Sequence, residues 1–180
     1  MANYTQDLIM ETFENMLDRM PFDKITVTAL IKECNIGRNT FYYHYDDIYA
    51  LLDEALIQWL GDYLDTTPEE NWQENFKTIL YFCRANKKKI HHIFNSLSRD
   101  QLAHYVSDRT NYSISSYIQS STKIPGDNSE RAKAIGQIIG YTLCGYFIRF
   151  LWNDMEDDID ADMDRLGLIF DELLEGLEKE

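Results

Sequence analysis

Between Thr26 and His44 the chain gathers side chains suited to reading nucleic acid rather than to making or breaking bonds. An arginine guanidinium fits the O6/N7 edge of guanine and a carboxamide fits the N6/N7 edge of adenine. Hydroxyls and helix N-termini suit phosphate oxygens. Arg38, Asn39, Thr40 and Tyr43 supply the base-edge chemistry, and Thr26, Tyr42 and His44 the phosphate chemistry. The residues around them read as the scaffold that presents them. Thr26 is a good N-cap, because its hydroxyl can accept from an unpaired amide of the first turn. Val27, Leu30, Ile31 and Cys34 then share one helical face. Asn35 tolerates the left-handed conformation that ends a helix, Ile36 plugs a small core, and Gly37 can open the next helix. Phe41 and Tyr45, four apart, turn inward and leave Arg38, Asn39, Thr40, Tyr43 and His44 pointing elsewhere. Two short helices about a tight turn form the layout of a helix-turn-helix, whose second helix enters the major groove. Ordinary surface residues on a short helix would explain the pattern less well, since exposed polar and aromatic side chains follow directly on a capped turn.

The run Gly37-Arg38-Asn39-Thr40-Phe41-Tyr42-Tyr43-His44-Tyr45 resembles the recognition-helix signature of the TetR family of bacterial transcriptional regulators, commonly Gly-Val-Ser-x-x-Thr-Phe-Tyr-x-His-Phe. Asn35 stands for the usual glycine, Gly37 for the serine and Tyr45 for the phenylalanine. A larger departure is Ile48, where the family commonly has a lysine that helps hold the DNA backbone. The Asp47-Ile48 pair is similar to a subgroup that includes regulators of dihydroxyacetone kinase operons. The likeness covers about the first 55 residues. It implies a three-helix DNA-binding domain over residues 1–47 and a helical ligand-binding and dimerisation domain over 48–180. It also implies a homodimer on a near-palindromic operator, a small-molecule effector, and repression as the common mode.

The elements that position the site follow from periodicity. Leu8, Ile9, Phe13, Met16, Leu17 and Met20 form one stripe of a helix from Thr5 to Met20, which would pack across the two short ones. Phe22 and Ile25 are corner pieces of that core. Asp46 can cap the next helix with Asp47 in its first turn. Ile48, Leu51, Leu52, Ala55, Leu56, Trp59, Leu60 and Tyr63 then make a long apolar face, ending at Thr66-Thr67-Pro68. Helices are predicted over Trp72–Cys83, Lys87–Leu97 and Asp100–Ile118, a loop over 120–129, and a final amphipathic helix from Met163 to Leu177. Before that last helix, Glu130 to Trp152 is so apolar that burial on all sides is expected. A membrane span is disfavoured by Arg149, the glycines and the lack of a flanking basic loop. Together the last two helices suggest a four-helix interface with a second copy. The fold class is therefore all-α.

Composition sets bounds. Hydrophobic residues make up 44% of the 180 residues, enough for a real core. The net charge is −14, and residues 1–50 hold only Arg19, Lys24, Lys32 and Arg38 against eight acids, so few phosphate contacts are expected. Lys87, Lys88 and Lys89 read as a solvated helix face, too far along the chain to help the front. Cys34, Cys83 and Cys144 are widely spaced in apolar surroundings, which predicts buried free thiols, a reducing cytoplasm and no metal site. The adjacent His91 and His92 point in different directions. With Asp7, Glu11, Glu14 and Asp18 among the first 20 residues, no secretory leader is expected there.

A second candidate site is a ligand cavity in residues 72–152, with Tyr105, Tyr117, Gln137, Tyr141 and Arg149 as its polar members. An arginine in an apolar helix needs a carboxylate such as Glu156 or Asp157, or an anionic ligand, and the internal ion pair is favoured. No nucleophile elbow, phosphate loop or HExxH occurs, so neither an enzyme nor a bound cofactor is expected. The alternatives are a helical regulator or coactivator that works through protein partners without its own operator, and a purely structural helical protein. The latter leaves the capped turn at Asn35–Gly37 unexplained.

Overall fold

The computed structural model describes residues 2–64, 72–98, 101 and 129–178. Among them the regular structure is entirely helical, in agreement with the all-α expectation. The helices are α1 (Ala2–Leu17), α2 (Val27–Cys34), α3 (Arg38–His44), α4 (Ile48–Leu64), α5 (Trp72–Ala85), α6 (Lys87–Phe94), α7 (Ser129–Trp152) and α8 (Ile159–Glu178), with a 3₁₀ turn at Phe22–Lys24. Of the stretch expected as a helix over 100–118 only Gln101, which is helical, is described; of the loop expected over 120–129 only Ser129 is, and it begins α7; the break at Thr66–Pro68 lies outside the described residues. The chain divides into two compact units. The first comprises residues 1–62 and 86–98, and the second residues 63–85 and 99–180.

The first unit is larger than the front module of residues 1–47, for it takes in most of α4 and all of α6. Its core holds Ile9, Phe13, Leu17, Leu30, Phe41, Leu51, Leu52 and Ile93, all fully buried. Phe22 forms the corner, edge-on to Phe13 at 6.2 Å and to Tyr49 at 5.3 Å. Helix α6 is tied in by polar contacts as well. The Nδ1 of His92 lies 2.6 Å from the Leu17 carbonyl at the end of α1. Lys89 pairs with Asp18 at 3.3 Å and sits over the Trp59 ring. The expectation of a solvated lysine face, remote from the front, is thus corrected at Lys89, whose side chain is only 16% exposed. A contact across so many residues leaves no local signal. The addition does not change the electrostatic balance, because the unit carries seven basic against eleven acidic side chains.

Helix α4 is capped by Asp47, whose Oδ1 accepts from the amides of Tyr49 and Ala50 at 2.8 Å each. Asp46 is the cap that the sequence suggests. The helix begins one residue later than that reading places it, which moves the capping position to Asp47.

In the second unit α8 packs against both α5 and α7. Ile139, Leu143 and Phe170 form a buried cluster, flanked by Trp72, Phe76, Ile135 and Leu166. Lys77 bridges Asp160 and Asp164. At Gly167 the side-chain amide of Gln73 on α5 lies against the α8 backbone, in the space a Cβ would occupy. The α7–α8 turn is held in an unusual shape. Asp154 and Met155 have φ of 57° and 61°, and Met155 is fully buried. Arg84 on α5 fastens that turn by donating from Nε to the Met155 carbonyl at 2.7 Å and from Nη2 to the Asp157 carbonyl. Left-handed backbone at a side-chain-bearing residue costs about 1–2 kcal/mol, so the turn depends on such anchors.

Helix α7 departs from the expectation of burial on all sides. Ile139, Leu143, Phe147, Phe150 and Leu151 are buried, but Ile138, Tyr141 and Trp152 are 55%, 63% and 69% exposed. Gly145 lies on the same exposed face, and a Cβ added there would have nothing within 4 Å. Spacings of three, four and seven place these four residues on one stripe. On α8, Leu168, Ile169 and Leu173 are exposed as well. The segment Ala134–Trp152 is long and apolar enough to cross a membrane by length and composition, yet one face of it forms a core within its own unit.

Candidate nucleic-acid interface

The site is built from two caps and two anchors. The Thr26 hydroxyl accepts from the Ala29 amide at 3.1 Å and starts α2. Acting as an acceptor there, it keeps its own proton free to donate to a phosphate oxygen. Asn35 ends α2 with φ 54° and ψ 43°, the left-handed conformation its side chain tolerates. The Ile36 amide then returns to the Ile31 carbonyl at 3.0 Å, closing the turn. Gly37 is extended at φ −78° and ψ 153° and makes no side-chain cap. A Cβ there would only touch the Thr40 hydroxyl at 3.6 Å, so the serine common at this position would fit.

Helix α3 is seven residues long and is held from beneath. Phe41 is fully buried and Tyr45 is 4% exposed, their rings 5.7 Å apart. That anchoring turns the opposite side outward. Arg38 and Asn39 are exposed, Thr40 and His44 half-buried, Tyr42 is 43% and Tyr43 80% exposed. Arg38 reaches back to Tyr42, with Nη2 3.5 Å from the hydroxyl and the guanidinium carbon 5.6 Å from the ring centroid. This i,i+4 contact orients the guanidinium without neutralising it. Tyr43 and His44 meet edge to face at 5.0 Å. The six α3 residues singled out from the sequence therefore stand on one short helix, with Thr26 exposed at the start of α2.

Arg19 is paired with Glu33 and Lys24 with Asp23, whereas Lys32 and Arg38 form no ion pair among the described residues. The Tyr45 hydroxyl is pushed up to about 12, first by burial and then by the nearby Glu54 carboxylate, so it stays protonated.

The second set does not converge in the same way. Gln137 and Tyr141 lie on the exposed side of α7, and Tyr105 and Tyr117 are outside the described residues. Arg149 is paired with Asp157 at 2.7 Å and Asp162 at 3.2 Å, while its guanidinium lies 5.0 Å from the Tyr146 ring centroid. The internal ion pair is thus formed with Asp157, and Asp162 on α8 is a partner the sequence does not point to. Tyr146 also donates to Asp162 at 3.1 Å. Among the described residues no group of three His, Cys, Asp or Glu side chains could hold a metal ion.

An anchored turn that presents an exposed short helix, joined to a separate helical unit, defines the helix-turn-helix class of regulator. Residues 70–171, more than half of the chain, match the model of a TetR-type transcriptional regulator C-terminal region. The chain belongs to the TetR family of transcriptional regulators. That match falls on the half of the molecule where the recognition-helix likeness does not, so the two rest on different residues. No curated protein matches the chain.

Proposed function

We propose that the protein is a sequence-specific DNA-binding transcriptional regulator, a ligand-responsive repressor that acts as a cytoplasmic homodimer. The observation that carries this reading is the outward face of α3, where Arg38, Asn39 and Tyr43 stand exposed on a helix fixed by the buried Phe41 and Tyr45. Arg38 and Asn39 would read base edges with Thr40 and Tyr43, and Thr26, Tyr42 and His44 would hold phosphates. Two copies would place two recognition helices in successive major grooves, about 34–36 Å apart. The apolar stripe of α7 and the exposed leucines of α8 supply a surface for that pairing. The effector would occupy the C-terminal half and act by binding one state better than the other. Kinship to the regulators of dihydroxyacetone kinase operons rests on Asp47-Ile48 alone.

Selection of bound duplexes from a random pool tests this reading. An inverted repeat with a fixed half-site spacing is the expected result, and a pool that gains no sequence preference refutes it. One observation favours a second reading, a coactivator that works through protein partners: the unit bearing α3 is net acidic. That reading predicts no enriched duplex but stable capture of a DNA-bound partner.

A further inference from the structure

Arg38 sits where a cation is least at ease. It is the first residue of α3, at the positive end of the helix dipole, and it forms no ion pair among the described residues. Its side chain rests instead on Tyr42, one turn on. The guanidinium carbon lies 5.6 Å from the Tyr42 ring centroid, within cation–π range, and Nη2 lies 3.5 Å from the hydroxyl. The Tyr42 ring is itself fixed. It meets Phe41 edge to face at 5.4 Å with the planes 87° apart, and Phe41 is fully buried. A line of contacts therefore runs from the core, through the Tyr42 ring, to the exposed fork of Arg38.

That line bears on how a base is read. An arginine loses rotamer freedom when it docks in a groove, and a ring that seats it beforehand reduces the loss. The seat leaves the reading edge open. The guanidinium carries several N–H donors and the contact to the Tyr42 hydroxyl engages at most one of them, so a parallel pair remains for O6 and N7 of a guanine. The Tyr42 hydroxyl, used there as an acceptor, keeps its own proton for a phosphate oxygen. We propose that Tyr42 is a positioning residue for base recognition: its ring seats the Arg38 fork for a guanine in the operator half-site. One side chain then ties the grip on the backbone to the reading of that base. This rests on the DNA-binding reading of α3 and deepens it, since it goes beyond the phosphate contact assigned to Tyr42 there.

Tyr42→Phe and Tyr42→Leu separate the two roles. Phenylalanine keeps the ring without the hydroxyl, and leucine keeps bulk against Phe41 without either; thermal unfolding of each checks the fold. The first arm needs no duplex. NMR relaxation of the Arg38 Nε–H group in the free full chain should show an ordered side chain in the parent and in Tyr42→Phe, and a mobile one in Tyr42→Leu. An Arg38 equally mobile in all three overturns the seat, whether or not the chain binds DNA. The second arm uses the duplex obtained by selection, with guanine at the position Arg38 reads and with each other base in its place. Preference for guanine should be kept to within about 1.5-fold in Tyr42→Phe and fall about two- to five-fold in Tyr42→Leu. Adding Tyr42→Leu to Arg38→Ala should lower it no further. A loss of affinity equal for all bases in both variants leaves Tyr42 as a phosphate contact alone and overturns the proposal. A pool that gains no preferred duplex removes the DNA-binding reading and the role in base recognition with it, while an ordered Arg38 in the first arm would still show the seat.

Discussion

Ile138→Asp on α7 separates the pairing surface from the fold. Ile138 is 55% exposed in the single chain, so its own unit loses little when it changes, within about 0.5 kcal/mol for a surface site. A second copy would cover it. Full burial of an isoleucine is worth about 1.5–3 kcal/mol, and the exposed fraction of that is about 0.8–1.6 kcal/mol per subunit. A symmetric interface counts it twice, giving about 1.6–3.2 kcal/mol, or roughly a 15- to 200-fold weaker dimer at 1.4 kcal/mol per decade. The two introduced carboxylates would lack partners in an apolar seam and add to this loss. Sedimentation equilibrium over a range of concentrations reads the dimer constant, and helical circular dichroism reports the fold. The expected outcome is a folded chain that dissociates at concentrations where the parent pairs. A variant that stays as dimeric as the parent would refute the use of this stripe in pairing.

Four further outcomes follow from the described contacts. Arg38→Ala should cost about 1–3 kcal/mol of specific duplex affinity and relax one base position, read by competition binding against single-position operator variants. Asn35→Ala should destabilise by about 1 kcal/mol, because alanine lacks asparagine's tolerance of φ 54°, whereas Asn35→Gly should be close to neutral in urea unfolding. Arg84→Met should cost about 2–3 kcal/mol by leaving the Met155 and Asp157 carbonyls without their charged donor, and Arg84→Lys should recover only part of it, again by urea unfolding. Alkaline unfolding tests Tyr45, whose ordinary value of 10.0 rises to about 12 in the fold. Its stabilising contribution is complete below about pH 10 and falls as pH rises toward 12, because the unfolded chain loses the proton first. Tyr45→Phe should remove up to about 2 kcal/mol of that alkaline loss.

What can be read from the sequence is local. The Thr26 cap, the left-handed Asn35 and the inward pair Phe41 and Tyr45 each depend on residues within a turn or two, so spacing and side-chain type reveal them. The cap of α4 is misplaced by one residue because Asp46 and Asp47 are chemically identical and only the helix start chooses between them. Contacts between distant segments are hidden. Nothing in Lys87-Lys88-Lys89 announces that Lys89 settles on Trp59 and Asp18, and nothing near Arg84 announces the carbonyls of Met155 and Asp157. Arg149 stands out as a cation in an apolar helix, and its need for a carboxylate is legible from that alone. The share taken by Asp162 depends on where α8 begins. On α7 the composition is nearly uniform around the helix, so hydropathy alone does not separate the face packed in its own unit from the stripe of Ile138, Tyr141 and Trp152.

Helix α6 closes the first unit only after the chain has passed through α5, a segment of the other unit. During synthesis, therefore, Ile9, Phe13 and Leu51 must wait for Ile93 before their apolar wall is complete. A ribosome pausing before residue 98 would hold a half-roofed module with greasy side chains showing. Likewise, a fragment cut after residue 47 would be missing its lid, and poor solubility of such a fragment would reflect the severed chain rather than a weakness of the helix-turn-helix.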